Sequence, residues 1–448
     1  MLISLLPQKL TETLLNINGF DKEAFEKVHA SGEQITSIRL NPSKPFNAQD
    51  TTYNVPWSQY GFYLNERPSF TFDPLFHAGC YYVQEASSMF LEQALKQTLD
   101  LSKPLKVLDL CAAPGGKSTH IHSLISDDSL LVSNEVIRSR ANILKDNIIK
   151  WGCENVVVTN NDPKGFSKLE NYFDLIVVDA PCSGSGLFRR DNEAITEWSE
   201  ENVELCSQRQ QRILADVWPA LKKNGILIYS TCSYSKEEDE DIVNWMMKEF
   251  AIDYSPLTIH PEWGIVDTGG GYRFWPHKLN GEGLFLSVFQ KKDGEEETDI
   301  RGKNKIERVN KKEIEVINKW IKKDNRVFVK NGETIYCWPG KLANDLEFLL
   351  QQLHVIYSGV LLGEVVREKL IPEHSLAMST ILNDPVGRVE LNYEQAIIYL
   401  QRKDLQIETG SKGWQLVTYK DQPLGWVNIL LNRVNNYYPK SLRILKDR

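Results

Sequence analysis

The stretch Lys106-Val107-Leu108-Asp109-Leu110-Cys111-Ala112-Ala113-Pro114-Gly115-Gly116-Lys117 decides the fold. A short apolar strand runs straight into a turn of small residues, and a helical pattern follows. Small residues let a backbone approach a ligand closely, and the helix start offers free N–H groups. The turn is not the G-x-G-x-x-G of a dinucleotide site. Nor is it the G-x-x-x-x-G-K-[ST] of a triphosphate site, because Cys111 stands where that pattern needs its first glycine.

The same rhythm continues on both sides. Strands are expected at Lys106–Leu110, Leu130–Asn134, Val156–Asn160, Phe173–Asp179, Gly225–Thr231 and Leu284–Gln290. Helices are expected at Ala141–Lys150, Val203–Leu221 and Glu238–Phe250. Short apolar strands alternating with helices predict an α/β fold, with a buried parallel sheet covered on both faces. Glu135 ends the second strand, 19 residues after Gly116. An open α/β sheet places there the carboxylate that binds ribose hydroxyls. Asp162 follows the third strand and is placed to receive an adenine amino group.

Two cysteines lie just beyond strand ends. Cys182 sits in Asp179-Ala180-Pro181-Cys182-Ser183-Gly184, and Cys232 in Tyr229-Ser230-Thr231-Cys232-Ser233-Tyr234. A lone cysteine is most often a small buried hydrophobe, which is the reading for Cys80, Cys111, Cys153, Cys206 and Cys337. Cys182 and Cys232 differ in their polar, turn-forming surroundings. Placed on adjacent strands about 4.8 Å apart, they point into one crevice at the carboxyl edge of the sheet, where ligands bind. Two thiols, the Asp179 carboxylate and the cation of Lys117 suit methyl transfer to a pyrimidine. Carbon 5 of cytosine is a poor nucleophile until a thiolate adds at carbon 6. Lys117 would favour the thiolate, and Asp179 can hold the ring edge.

The 448 residues exceed one core and predict several domains. A net charge of −8 argues against a general nucleic-acid coat protein, but not against an enzyme with local basic patches. Seven scattered cysteines without C-x-x-C spacing predict free thiols, a reducing compartment and no metal. Met1–Leu6 is too short for a signal segment and no long apolar run follows, so a cytoplasmic chain with no membrane partner is expected. Nothing suggests a dimerisation helix, and a monomer is expected.

Before the core, apolar spacing through Leu10, Leu14, Phe20, Phe25 and Val28 predicts short helices, and Tyr81–Leu95 reads as one helix. After it, Lys291–Glu297 reads as a solvated linker. Residues 301–326 hold 10 Lys/Arg against 4 Asp/Glu, an RNA-facing patch in prospect. The tail sets aromatics from Trp426 to Tyr438 among Arg433, Lys440, Arg443 and Lys446.

Residues of about 100–290 resemble the Nol/Nop/Sun family of RNA cytosine-5 methyltransferases, through A-P-G-G-K, D-A-P-C-S-G and T-C-S. The resemblance implies a Rossmann-like core using S-adenosylmethionine, with Cys232 as nucleophile and Cys182 aiding release. It implies cofactor contacts from Cys111, Ala112, Ala113, Pro114, Gly115, Gly116, Lys117, Glu135, Asp162 and Asp179, with Arg140 nearby. Residues 271–277 and 281–283 match a family stretch near the active-site mouth.

The layout is similar to the RsmF-type bacterial branch acting on small-subunit (16S) ribosomal RNA. It implies an N-terminal RNA-binding extension (1–100), a catalytic domain (101–292), an intermediate unit (300–370) and a PUA-like RNA-binding domain (371–448). Methylation of tRNA or another RNA is the nearest alternative. A DNA cytosine methyltransferase would use Pro181-Cys182 and leave Cys232 unexplained. A non-catalytic RNA-binding ribosome assembly factor would leave the whole acid and thiol set unexplained.

Overall fold

The computed structural model describes residues 6–47, 51–295, 307–407 and 411–447. Its centre is a sheet in which ten strands are described. The core strands are β1 (Lys106–Asp109), β2 (Leu130–Asn134), β3 (Val156–Thr159), β4 (Phe173–Asp179), β5 (Leu221–Thr231) and β6 (Leu284–Lys291). A strand from further along the chain, β7 (Val355–Ser358), completes one side. The spatial order is β6-β5-β4-β1-β2-β3-β7. The chain therefore reverses direction of travel between β1 and β4, which opens a crevice at their carboxyl ends.

Side chains alternate across the sheet and both faces are buried. Val107, Leu131, Val158, Leu175 and Ile228 pack under α1 (Gly116–His122), α2 (Arg138–Trp151) and the N-terminal helix Leu91–Thr98. Leu108, Val132, Ile176, Val178 and Leu227 pack under α3 (Glu200–Val217), α4 (Glu240–Glu249) and the later helix Ala343–Gln352. This is the doubly covered α/β core expected from the apolar runs.

Four expectations need correction. The sheet is mixed: β1 to β5 are parallel, but β6 runs antiparallel to β5 and β7 antiparallel to β3. Apolar content signals burial on both faces, not strand direction. Tyr81–Leu95 is not one helix. Tyr81–Val83 is a strand paired with Ser37–Leu40, and the α-helix begins at Leu91 after a 3-10 turn. Aromatic and β-branched side chains favour that pleated edge. The helix expected over 203–221 starts earlier, at Glu200 behind a Ser199 cap, and stops at Val217, with Leu221 already in β5. Lys291 is no linker residue. It ends β6, buried, with its ammonium donating to the Trp218 and Leu221 carbonyls. Glu296 and Glu297 lie outside the described residues.

The N-terminal part adds a four-stranded sheet and the short helices Gln8–Thr13 and Lys22–Ala30. The C-terminal part adds two more four-stranded sheets. In the last of them Trp426 is fully buried and its indole N–H donates to the Glu373 carbonyl, so this ring is core and not an RNA platform. Arg433, Lys440, Arg443 and Lys446 are exposed. Of the basic run, Arg301, Lys303 and Lys305 lie outside the described residues. Arg326 is spent on Glu154, clamping the intermediate unit to the core.

That clamp and β7 make the intermediate unit part of the catalytic sheet. Tyr357 lies opposite Val158, is 5% exposed, and shares a hydrogen bond with Ser375 at 2.8 Å. Removing a buried aromatic side chain costs about 3–5 kcal/mol. Tyr357→Ala is therefore expected to speed hydrogen exchange of the β3 amides at 156–159, measured by mass spectrometry, although the substitution lies outside residues 101–292.

Candidate active site

Register builds the reactive edge. β4 and β5 pair with Asp179 opposite Ser230. The two loops that leave them carry Cys182 and Cys232 side by side, with Sγ atoms 3.0 Å apart. Both are free thiols. The loops are tied from below by Glu238, which is fully buried just ahead of α4. Its carboxylate accepts from the Ser183 N–H at 2.9 Å, the Ser233 hydroxyl at 2.7 Å and the Gln210 amide at 3.0 Å. The Ser183 hydroxyl donates to it as well, at 2.5 Å. The Gly186 N–H closes the clasp by donating to the Cys232 carbonyl at 2.7 Å. A Cβ at 186 would lie 2.6 Å from that oxygen, so only glycine fits.

Lys117 reaches the same edge from α1. Its Nζ lies 2.8 Å from Asp179 Oδ2, and the Ser230 hydroxyl donates to Oδ1 at 2.8 Å. Burial pulls the ammonium pKa down. The charge and hydrogen bond of Asp179, with Asp109 and Cys232, more than offset this and leave it raised. Lys117 is thus a fixed cation at this edge, paired with Asp179 and within electrostatic reach of Cys232. The Cys182 thiol is pushed well above its ordinary value, first by its hydrogen bond to Cys232 and then by burial.

The glycine turn lies next to this edge. Gly115 has φ +116°, a left-handed conformation that suits glycine. The turn is held by its neighbours: the Ala112 N–H donates to the Asn134 carbonyl, Arg140 donates to the Ala113 carbonyl, and Asn147 to the Pro114 carbonyl. Burial raises the Cys111 thiol, which makes it a neutral part of the turn. Glu135 is 3% exposed, accepts from the Ile137 N–H at 2.9 Å, and has Arg140 3.4 Å from Oε2. Asp162 is further out, on the exposed rim. One oxygen caps the 3-10 turn Pro163–Lys168, and Arg212 stands 4.0 Å from the other.

Three groups at this edge were invisible in the sequence pattern. Asn134 joins three strand ends, donating to the Leu110 and Asn161 carbonyls and accepting from Thr159. Glu238 sits in a charged run that reads as solvated surface. Asp109 is buried, accepts from the Ser118 hydroxyl at 2.7 Å, and is pushed up to about 7 by burial. Its Oδ1 has no hydrogen-bond partner. An unpaired buried carboxylate oxygen is costly, and it fits the amino-acid ammonium of S-adenosylmethionine. Glu135 fits the ribose hydroxyls, and the turn between them fits the methionyl chain. Among the described residues no cluster of His, Cys, Asp or Glu could hold a metal ion, and no helix is long and apolar enough to cross a membrane.

Comparison with known proteins agrees with this geometry. The family described as 16S rRNA methyltransferase RsmB/F matches residues 96–290. The N-terminal domain of 16S rRNA methyltransferase RsmF matches residues 6–86, and the methyltransferase RsmF PUA domain matches residues 386–444. Ribosomal RNA small subunit methyltransferase F of Shewanella woodyi is 30% identical over 412 residues, covering 87% of this chain and 84% of its own. The Vibrio vulnificus protein of the same name is 29% identical over 409 residues, covering 88% and 86%. A solved methyltransferase homologue from Pyrococcus horikoshii superposes with a TM-score of 0.52 at 26% identity, over 64% of this chain and all of that one. PH0851 gives 0.57 at 26% identity, over 64% of this chain and 66% of its own.

The Glu238 clasp yields a test. Glu238→Gln places an amide donor among buried donors, and each broken pairing costs about 1–3 kcal/mol. Urea unfolding is expected to show a loss of that size. Iodoacetamide labelling of Cys182 is expected to quicken as its loop loosens.

Proposed function

The chain belongs to the RsmF family of S-adenosylmethionine-dependent ribosomal RNA methyltransferases, and from that premise we propose that it methylates carbon 5 of a cytidine in 16S ribosomal RNA through a covalent cysteine adduct. The observation that carries this reading is the pair of free thiols in contact at one strand edge, with the Lys117–Asp179 pair beside them.

The residues divide the chemistry. Glu135 and Asp162 would hold the ribose and adenine of S-adenosylmethionine, and residues 111–117 its methionyl part, with Arg140 steadying Glu135. When bound, that molecule supplies an electrophilic methyl carbon and leaves as a thioether. Cys232, as thiolate, adds its sulfur lone pair to carbon 6 of cytosine. The electron pair of the 5,6 double bond becomes available at carbon 5, where the new carbon–carbon bond forms. Asp179 holds the ring edge at nitrogen 3, and Lys117 keeps the edge cationic while negative charge moves through it.

Release falls to Cys182. While Cys232 is an anion, its hydrogen bond and charge hold Cys182 protonated. Once the Cys232 sulfur is bonded to carbon, the largest of the causes that raise Cys182 is gone, and Cys182 passes its proton to solvent against the burial and the Glu238 charge that remain. Its thiolate then takes the carbon-5 proton. The electron pair left behind restores the 5,6 double bond and expels the Cys232 thiolate. The same reading assigns residues 1–100 and 371–448 to gripping RNA.

Single substitutions separate the two thiols. Cys182→Ala is expected to form the adduct, transfer methyl and stall, giving a slow band on a denaturing gel that RNase removes. Cys232→Ala and the double variant are expected to give no band and no methylation with labelled S-adenosylmethionine. A band from Cys232→Ala but none from Cys182→Ala would reverse the two roles and return the DNA-type assignment.

A further inference from the structure

A buried cation lies behind the glycine turn, and it comes from outside the catalytic domain. Arg39 sits in the N-terminal strand Ser37–Leu40 and is fully buried. Its Nη2 donates to the Thr119 hydroxyl at 2.6 Å and to the Gly116 carbonyl at 3.4 Å. Nη1 donates to the Ser123 hydroxyl at 3.2 Å, and Nε to the Gln84 side chain at 2.8 Å. The guanidinium lies 4.6 Å from the centre of the Trp151 ring. The Thr119 hydroxyl in turn donates to the Gly115 carbonyl at 2.8 Å. Arg39 thus reaches both glycines of the turn, one directly and one through a single hydroxyl.

Every one of these partners is neutral. The carboxylate that acts on Arg39 through space is Glu92, and it is already engaged by Lys96 and His120. A buried charge without a counter-ion is costly. Burial lowers the guanidinium pKa only to about 9, so the charge persists at neutral pH. Fastening alone would not need it, since a neutral donor can hold a hydroxyl and a carbonyl. A cation held behind free helix-start N–H groups is suited to favouring an anion in front of them.

The anion follows from the layout proposed above, on which this inference rests. With ribose at Glu135 and adenine towards Asp162, the amino-acid end of the cofactor lies over the turn. Asp109 suits its ammonium, which leaves its carboxylate for the N–H groups at the start of α1. We infer that Arg39 is a positioning residue of the cofactor site: it holds the Gly115–Gly116 turn from behind and supplies the charge that favours the amino-acid carboxylate of S-adenosylmethionine.

Two ligands that differ in that carboxylate provide the test. S-adenosylhomocysteine carries the amino-acid group, and 5′-methylthioadenosine has the same nucleoside without it. Calorimetry on the full-length Arg39→Gln protein is expected to show S-adenosylhomocysteine weakened about 5- to 50-fold, with methylthioadenosine within about twofold of its native Kd. Arg39→Lys, which keeps the charge, is expected to recover most of the difference. Should Arg39→Gln fail to fold, Thr119→Val removes the hydroxyl that anchors Nη2 and is expected to move the ratio of the two affinities in the same direction.

Equal weakening of both ligands, or of neither, would overturn the inference and leave Arg39 a packing residue. Glu135→Ala in the same titrations tests the underlying layout. It is expected to weaken both ligands, because both carry the ribose. If it weakens neither, the cofactor reading fails, which is a different result from a failure at Arg39.

Discussion

The register of β4 against β5 is the constraint on which the reactive edge depends. Asp179 lies beside Ser230 in the parallel ladder that runs from Leu175 to Asp179, and a one-residue slip of that ladder would turn every core side chain to the wrong face. Given that register, the chain must leave both strands at the same height. Short loops then bring Cys182 and Cys232 into contact. No residue in either loop has to be strained to achieve it. The apolar side chains that fix the register, among them Ile176, Val178 and Leu227, are buried under α3 and α4 on one face. Hydrophobic packing therefore sets the distance between two sulfur atoms that touch none of it.

The polar groups below the loops convert that approximate meeting into a fixed one. Glu238 gathers Ser183, Ser233 and Gln210, and the Tyr229 hydroxyl donates to Gln210 and to the Glu238 carbonyl. Burial raises the Glu238 carboxyl, but four donors work against that shift. A parallel arrangement ties the cofactor side, where Asn134 holds the ends of β1, β2 and β3 together. In both places one buried acceptor or amide collects several loop groups. Such networks are stiff when every member is satisfied.

What could be read in the sequence was whatever is local. Apolar runs bounded by turns located β2 and β4 to the residue, and the spacing from Gly116 to Glu135 located the end of β2. What could not be read depends on partners far along the chain. Nothing in Leu284–Gln290 tells whether that strand runs with its neighbour or against it. Tyr81–Val83 satisfies a helical pattern as well as a strand pattern, and only pairing with Ser37–Leu40 decides it. Glu238 lies in the run Lys236-Glu237-Glu238-Asp239-Glu240, where composition indicates surface. Its burial comes from Ser183, many residues earlier. Arg39 looks like an ordinary strand residue until α1 is packed against it.

The strand β7 has a bearing on how the protein is made. During synthesis β3 emerges early, with one row of backbone donors and acceptors paired to β2 and the other row facing outward. The residues that cover that row, Val355–Ser358, are translated long afterwards, once the whole of the core has left the ribosome. Until then the nascent core carries an open, apolar sheet edge of the kind that recruits other chains. Completion of the sheet is thus a late event in the life of each molecule. The catalytic crevice can be assembled before it, but a sheet sealed on that side requires that the chain has been made at least as far as Ser358.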